Sequence, residues 1–458
     1  MSSTVFDSFY FKDRYATRPM RALWDDRATL QRWLDVEAAL AEVEGELGLI
    51  PRRAAREISR KAKLQLLDPK ELKAAFDRTW NPVVPLVDAL RAAVGPEAAR
   101  YVHWGATSKN VFDTGMTLQV REAQALLLAD LDGIGHQLAA LAERHRLTVM
   151  AGRTHGQQAL PVTFGFKAAA WLEELLRQRE RLLQSRKRVL VGEWGGAVGT
   201  LSSLGRKGLL VQKRLLDRLG LGAPTIPVKT AGDRLAEFAL LLCMISATLG
   251  KIAQNIYNLQ QSEIDEVTEF TEGKVGSSAM PHKQNPVASG SVVLLGRLAR
   301  ANAGPALDYI HCEGEDDHRQ GETAWKFLPE VCLLVSAQLS ILNRVLARLV
   351  VKPDNMRRNL DRGGGLATSE SLMMALAGRL GQSQAHRLVG ELAREAARRG
   401  LPLGDVAAQN PEVSRLLSKP ELERRLDYRQ SIGLAPLFVD RVLALYRRTY
   451  GKNPRPAR

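Results

Sequence analysis

Cysteine is scarce. There are three in 458 residues, Cys243, Cys312 and Cys332, each in or near an apolar segment and none at a metal-like spacing. That argues against a disulfide-stapled framework or a cysteine metal site, and it fits a reduced, cytoplasmic protein. Long apolar runs are missing too. No stretch of eighteen consecutive apolar residues occurs, so neither a membrane-crossing helix nor a membrane partner is expected. The first fifteen residues are polar and carry no secretory apolar region. Glycine and proline are sparse over most of the length, while Ala, Leu, Arg and Glu dominate, which favours helix over strand. No repeat of fixed period and no low-complexity segment interrupts the chain.

What is present is apolar material enough for a sizeable core, 45% of residues, and an excess of basic charge, formally +15. Apart from Arg447, Arg448, Lys452, Arg455 and Arg458 near the C-terminus, the basic residues are scattered. No zinc-finger, RNA-recognition or helix-turn-helix pattern accompanies them, so no nucleic-acid partner is expected. An arginine-rich surface around a site that attracts anions accounts for the charge.

The first hundred residues read as short helices around the stripe Trp33, Val36, Ala39, Leu40 and Val43. Longer periodicity follows. Leu127, Leu131, Ile134, Leu138 and Leu141 form one stripe. Leu235, Phe238, Leu242, Ile245, Leu249, Ile252, Ile256 and Leu259 alternate spacings of three and four, a heptad pattern suited to a bundle helix. Ala288 to Leu298 and Val331 to Leu349 are further apolar helical runs. Shorter helices return after Pro353. The expected organisation is a mainly α chain with an N-terminal helical domain (1–106), a central domain of long helices (107–352) and a C-terminal helical domain (353–458).

Three segments rich in Gly, Thr, Ser, His and Pro break the long helices, and such connections are where function concentrates. The first, Tyr101 to Gly115, contains His103, Thr107 and Ser108. The second, Ala151 to Phe164, contains Thr154, His155 and Gln157. The third, Glu272 to Pro286, holds the run Gly276-Ser277-Ser278-Ala279-Met280-Pro281-His282-Lys283-Gln284-Asn285-Pro286. Lysine and asparagine there supply a charge and a donor for a carboxylate. Taken singly, each segment has an ordinary explanation: a hydrogen-bonding histidine, or a serine pair in a turn or helix cap. The acidic stretch Glu313, Glu315, Asp316, Asp317 and His318 reads as a solvated connection, because oxygen-rich composition alone fixes no coordination geometry. No metal is expected.

Together, in this order, the three segments resemble the three signature regions of the fumarase/aspartase superfamily, whose third is Gly-Ser-Ser-x-x-x-x-Lys-x-Asn. The resemblance runs from about residue 10 to about 450. It implies a mainly α, three-domain subunit with a central bundle of long helices, assembled as a homotetramer whose active sites combine loops from three subunits. It implies no cofactor and a small polycarboxylate substrate. The implied reaction is β-elimination, in which a base removes the proton next to a carboxylate and the β-substituent departs. By matching positions, Ser277 is the base and His155 protonates or positions the leaving group. His103, Thr107, Ser108, Thr154, Gln157, Ser278, Met280, Lys283 and Asn285 bind the substrate, with Lys283 and Asn285 on its carboxylate.

Within the superfamily the second region, and the runs His103 to Ser108 and Gly195 to Leu201, look like the 3-carboxy-cis,cis-muconate cycloisomerase branch, which is the expected activity class. Arg14-Tyr15 looks instead like adenylosuccinate lyase, the alternative. Another fumarate-releasing lyase of a succinyl adduct is a third reading, and a non-catalytic scaffold of the same fold a fourth. Trp325 stands where adenylosuccinate lyases carry a phosphate-binding arginine. Neighbouring Lys326 is a point charge and no bidentate fork. Lys109 and Asn110 depart from the cycloisomerase pattern, which often has Ser-Gln-Asp at 108–110, and Gln284 stands where both branches have arginine.

Overall fold

The computed structural model describes residues 3–269, 277, 279–280 and 282–451. The chain is mainly α-helical, and its contacts divide it into two compact units. The first unit comprises residues 1–130, 178–249 and 294–340, and the second comprises 131–177, 250–293 and 341–458.

The first unit is built on the helix Asp26–Glu46, capped by Asp25, whose carboxylate accepts the Ala28 N–H. Its Trp33, Val36, Leu40 and Val43 are buried as their periodicity predicts, against Ile58, Leu86 and Leu90 of neighbouring helices and Leu215 of the helix Gly208–Leu219. The helix Ser108–Arg144 begins earlier than the sequence suggests. Thr114 and Gly115 look like loop residues, but both are helical. A Cβ on Gly115 would lie 2.5 Å from Cδ1 of Trp33, so the glycine serves a close helix crossing and no turn.

The second unit contains an antiparallel hairpin, Val149–Thr154 with Gln157–Thr163, where the sequence reads as a loop. Its C-terminal part has its own apolar core, with Leu372, Leu376, Leu392, Leu403 and Val413 among the buried residues. Among the long helices, Asp233–Leu259 covers the predicted heptad stripe, the run from Ala288 lies in Val287–Asn302, and the run from Val331 is helical as far as the end of His318–Ala347, two residues short of Leu349. The helices Ser108–Arg144, Asp233–Leu259 and His318–Ala347 each contain an 18-residue window apolar enough to cross a membrane, and half or more of each window is buried inside the fold.

Candidate active site

In the first unit, the N-terminus of Ser108–Arg144 opens on a cleft of about 550 Å³, with Thr107, Ser108, Asn81, Phe112 and Trp325 in its lining. The Thr107 carbonyl accepts the Asn110 N–H at 3.0 Å, so Thr107 immediately precedes the first turn. The N–H groups of a first helical turn lack intrahelical partners and favour an anion. Asn81 accepts the N–H groups of Val83 and Val84 at 3.0 and 2.9 Å, and Ser108 Oγ at 3.4 Å. Phe112 and Trp325 meet edge to face, with centroids 5.4 Å apart. The carboxylates of Asp316 and Glu322 also line the cleft.

Lys109 is buried and helical, and it pairs with Asp113 one turn on at 2.9 Å, its ammonium 5.3 Å from the Phe112 ring centre. Burial pushes the Asp113 carboxyl up, while Lys109 pulls it down. Buried Lys229 pairs with Asp316 at 2.5 Å. Burial, then the charge of Asp113, pushes Glu193 up to about 7. Thus Lys109 brings its own counter-ion.

His103 turns to Glu37: its Nδ1 lies 2.5 Å from Oε1 of that buried carboxylate. Its backbone is left-handed, φ +65°.

In the second unit, His155 sits at the tip of the hairpin. Thr154 and Gln157 form the closing pair, and His155 and Gly156 take φ of +52° and +78°. Positive φ at both central residues is the two-residue turn that matches strand twist. The imidazole is exposed, and among the described residues it makes no side-chain hydrogen bond. The hairpin is anchored below this tip. Arg153 grips the buried Glu266 carboxylate through two N–H groups, at 2.9 and 2.6 Å. Asn359 donates to the same carboxylate at 2.9 Å, and Gln158 donates to the Asn359 carbonyl at 3.0 Å.

In the third segment, half-buried Ser277 accepts the N–H groups of Ala279 and Met280 on Oγ, at 3.2 and 3.0 Å. The Lys283 N–H returns to the Met280 carbonyl at 3.1 Å. Met280 and Lys283 are exposed and Asn285 is half-buried. Ser278, one of the substrate-binding residues named from sequence, lies outside the described residues. Buried Glu269 accepts the N–H groups of Ala288 and Ser289, at 2.8 and 2.9 Å, fixing the start of the helix that follows.

Three groups of residues are therefore assembled locally: Thr107 with Ser108, Thr154 and His155 with Gln157, and Ser277 with Met280 and Lys283. The sequence reading missed Glu37, Asn81, Asp113 and the Arg153–Glu266 anchor. Glu37 alone carried a usable signal, an acid beside Val36 within a core-facing stripe. Among the described residues no group of three or more His, Cys, Asp or Glu side chains is arranged to hold a metal ion.

Comparison with known proteins gives two family matches. The family described as "Lyase" matches residues 13–298, and that described as "Adenylosuccinate lyase C-terminus" matches residues 365–442. The chain is 40% identical to an N-acetyl-S-(2-succino)cysteine lyase of Enterococcus italicus, over 97% of this chain and 98% of the relative. It is also 40% identical to a 3-carboxy-cis,cis-muconate cycloisomerase of Pseudomonas aeruginosa, over 100% and 99%. The crystal structure of the 3-carboxy-cis,cis-muconate lactonizing enzyme from Pseudomonas putida superposes with a TM-score of 0.91 at 37% identity, over 96% of this chain and 99% of that one.

Proposed function

The chain belongs to the lyase family, within the fumarase/aspartase superfamily, and from that premise we propose that it splits a small, non-phosphorylated succinyl adduct by β-elimination, releasing fumarate. One observation carries the chemistry. Ser277 Oγ already accepts two backbone N–H groups, and the same donors stabilise the oxyanion that a serine base requires.

In this reading Ser277 takes the proton from the carbon next to the substrate carboxylate. Lys283 and Asn285, helped by Thr107 and Ser108, hold that carboxylate as its charge grows. The bond from the β-carbon to the leaving sulfur or nitrogen then breaks, its electron pair stays with the heteroatom, and His155 delivers a proton there. Thr154, Gln157, Ser278, Met280 and His103 complete the binding surface. The cleft supports a leaving group without a phosphate. Its wall carries the Phe112–Trp325 pair, its lysine is already neutralised by Asp113, Lys229 is paired with Asp316, and Glu322 adds a further carboxylate, so no unpaired lysine or arginine awaits a phosphate among the described residues of the lining.

Cycloisomerisation of 3-carboxy-cis,cis-muconate, the expectation from sequence, is the second reading. It is favoured by a relative of equal identity and by the P. putida neighbour. The reaction would use the same groups for intramolecular addition of a carboxylate to a double bond. Purified protein offered N-acetyl-S-(2-succino)cysteine, carboxymuconate and adenylosuccinate separates the readings: fumarate from the thioether supports the first, and lactone from carboxymuconate replaces it with the second.

The same proposal includes the three-domain division at 106 and 352, a homotetramer and a cytoplasmic setting. The separate core within 372–422 supports a C-terminal domain. Exposed Leu240, Met244 and Ala247, along one face of the Asp233–Leu259 helix, support association between subunits. The unpaired Cys243, Cys312 and Cys332 fit a reducing compartment.

A further inference from the structure

The Asp26–Glu46 helix carries two carboxylates on its buried side, Glu37 and Glu44, seven residues apart and 2% and 0% exposed. Burying a carboxylate is costly unless it is paired or neutralised. The two are handled differently. Glu44 has no hydrogen-bond partner on either oxygen, and burial, then the charge of Glu37, pushes it up to about 9, so it stays protonated at neutral pH. Glu37 instead meets the imidazole of His103, Oε1 to Nδ1 at 2.5 Å, while its Oε2 has no partner.

The histidine is brought there deliberately. His103 adopts φ +65°, a conformation uncommon outside glycine that persists only where the surroundings impose it. Its side chain keeps 16% of its surface exposed, and with Nδ1 against a buried carboxylate, Nε2 on the opposite edge is the ring nitrogen with no side-chain partner among the described residues. Four residues on, the same loop delivers Thr107 to the cleft. A carboxylate on one imidazole nitrogen fixes the tautomer and the orientation of the other.

From this geometry we infer that Glu37 is a positioning residue: it holds the Nδ1 proton of His103, so that Nε2 is the nitrogen that exchanges a hydrogen bond with the substrate. The inference rests on the elimination reading for the role of His103 but not for the Glu37–His103 pair itself. Glu37→Gln removes the charge and lets an amide donate to Nδ1, which transfers the ring proton to Nε2. Glu44→Gln replaces a carboxyl that is already neutral and serves as the control of equal burial.

The experiment compares Glu37→Gln, Glu37→Asp, Glu44→Gln, His103→Asn and the double variant Glu37→Gln/His103→Asn. Fumarate release is the kinetic readout, and nitrogen chemical shifts of labelled histidine report the tautomer. Glu37→Gln is expected to lower kcat about 100-fold with little change in KM. Glu37→Asp should recover part of that, Glu44→Gln should lose nothing, and the double variant should be no slower than His103→Asn. A wild-type kcat in Glu37→Gln, additive losses in the double variant, or an equal loss in Glu44→Gln overturns the inference. If no succinyl adduct is turned over, the elimination reading fails separately and the tautomer decides. A shift of the His103 proton to Nε2 in Glu37→Gln upholds the pair, and an unchanged tautomer overturns it.

Discussion

Phe112 and Trp325 meet edge to face, with ring centroids 5.4 Å apart and planes at 79°, and both line the cleft that also contains Thr107 and Ser108. An aromatic pair of this geometry contributes about 1 kcal/mol beyond its buried area. Trp325→Ala removes that pair from the cleft wall and is expected to lower kcat/KM for the succinyl adduct about fivefold, with the loss mainly in KM. Trp325→Arg should shift the preference toward phosphorylated adducts, because a guanidinium supplies the bidentate fork that the native wall lacks. Steady-state kinetics on paired phosphorylated and unphosphorylated substrates checks both.

The hairpin that displays His155 depends on a buried ion pair. Glu266 is fully buried and receives two N–H groups from Arg153 and one from Asn359. Arg153→Ala leaves that carboxylate without its counter-charge, at a cost of about 3 kcal/mol. Thermal unfolding should show a clear drop in Tm, and kcat should fall although Arg153 itself takes no part in the chemistry. A compensating Glu266→Gln in the same chain should restore part of the stability.

Lys109 and Asp113 form the corresponding pair beside the cleft. Lys109→Ala strands a buried carboxylate and should destabilise the fold by about 3 kcal/mol, more than the double replacement with Asp113→Ala. Denaturant titration of both single variants and the double variant measures the coupling.

Buried carboxyls set the pH dependence of stability. The folded chain holds the Glu193 proton up to about 7 and the Glu44 proton up to about 9, against an ordinary 4.5. Between those limits the folded state binds more protons than the unfolded one, so stability falls as pH rises. The contribution is fully present below about 4.5 and lost progressively toward about 9. Tm should therefore decline from about pH 6 to about pH 9, and Glu44→Gln should flatten that decline. A Tm that rises over this range contradicts these assignments.

The long helices were legible because their stripes repeat every three and four residues, and the burial of Phe238, Leu242, Ile245 and Leu249 follows that repeat. The hairpin was not, because Gly152, Thr154, Gly156 and Gln157 carry turn chemistry and little of the apolar alternation that marks a strand. The start of the helix at Ser108 was hidden by Gly115, which looks like a breaker but is the crossing point against Trp33. In the candidate site, the residues proposed to hold a ligand are Ser, Thr, His and Lys side chains within three segments, types that sequence displays directly. Their supports were not legible, apart from the acid at Glu37 within its core-facing stripe. Glu37, Asp113 and Glu266 are distant in sequence from, or a helical turn away from, the groups they hold, and only folding makes them neighbours.

Ser277, with the Ala279 and Met280 N–H groups on its oxygen, is the proposed base that begins elimination. The direct test is the rate of fumarate release by Ser277→Ala on the succinyl adduct that the wild type turns over, beside substrate binding and thermal unfolding of the same variant. The predicted result is a kcat lowered at least about 1,000-fold with Tm and substrate affinity close to wild type. A kcat within about tenfold of wild type would contradict it.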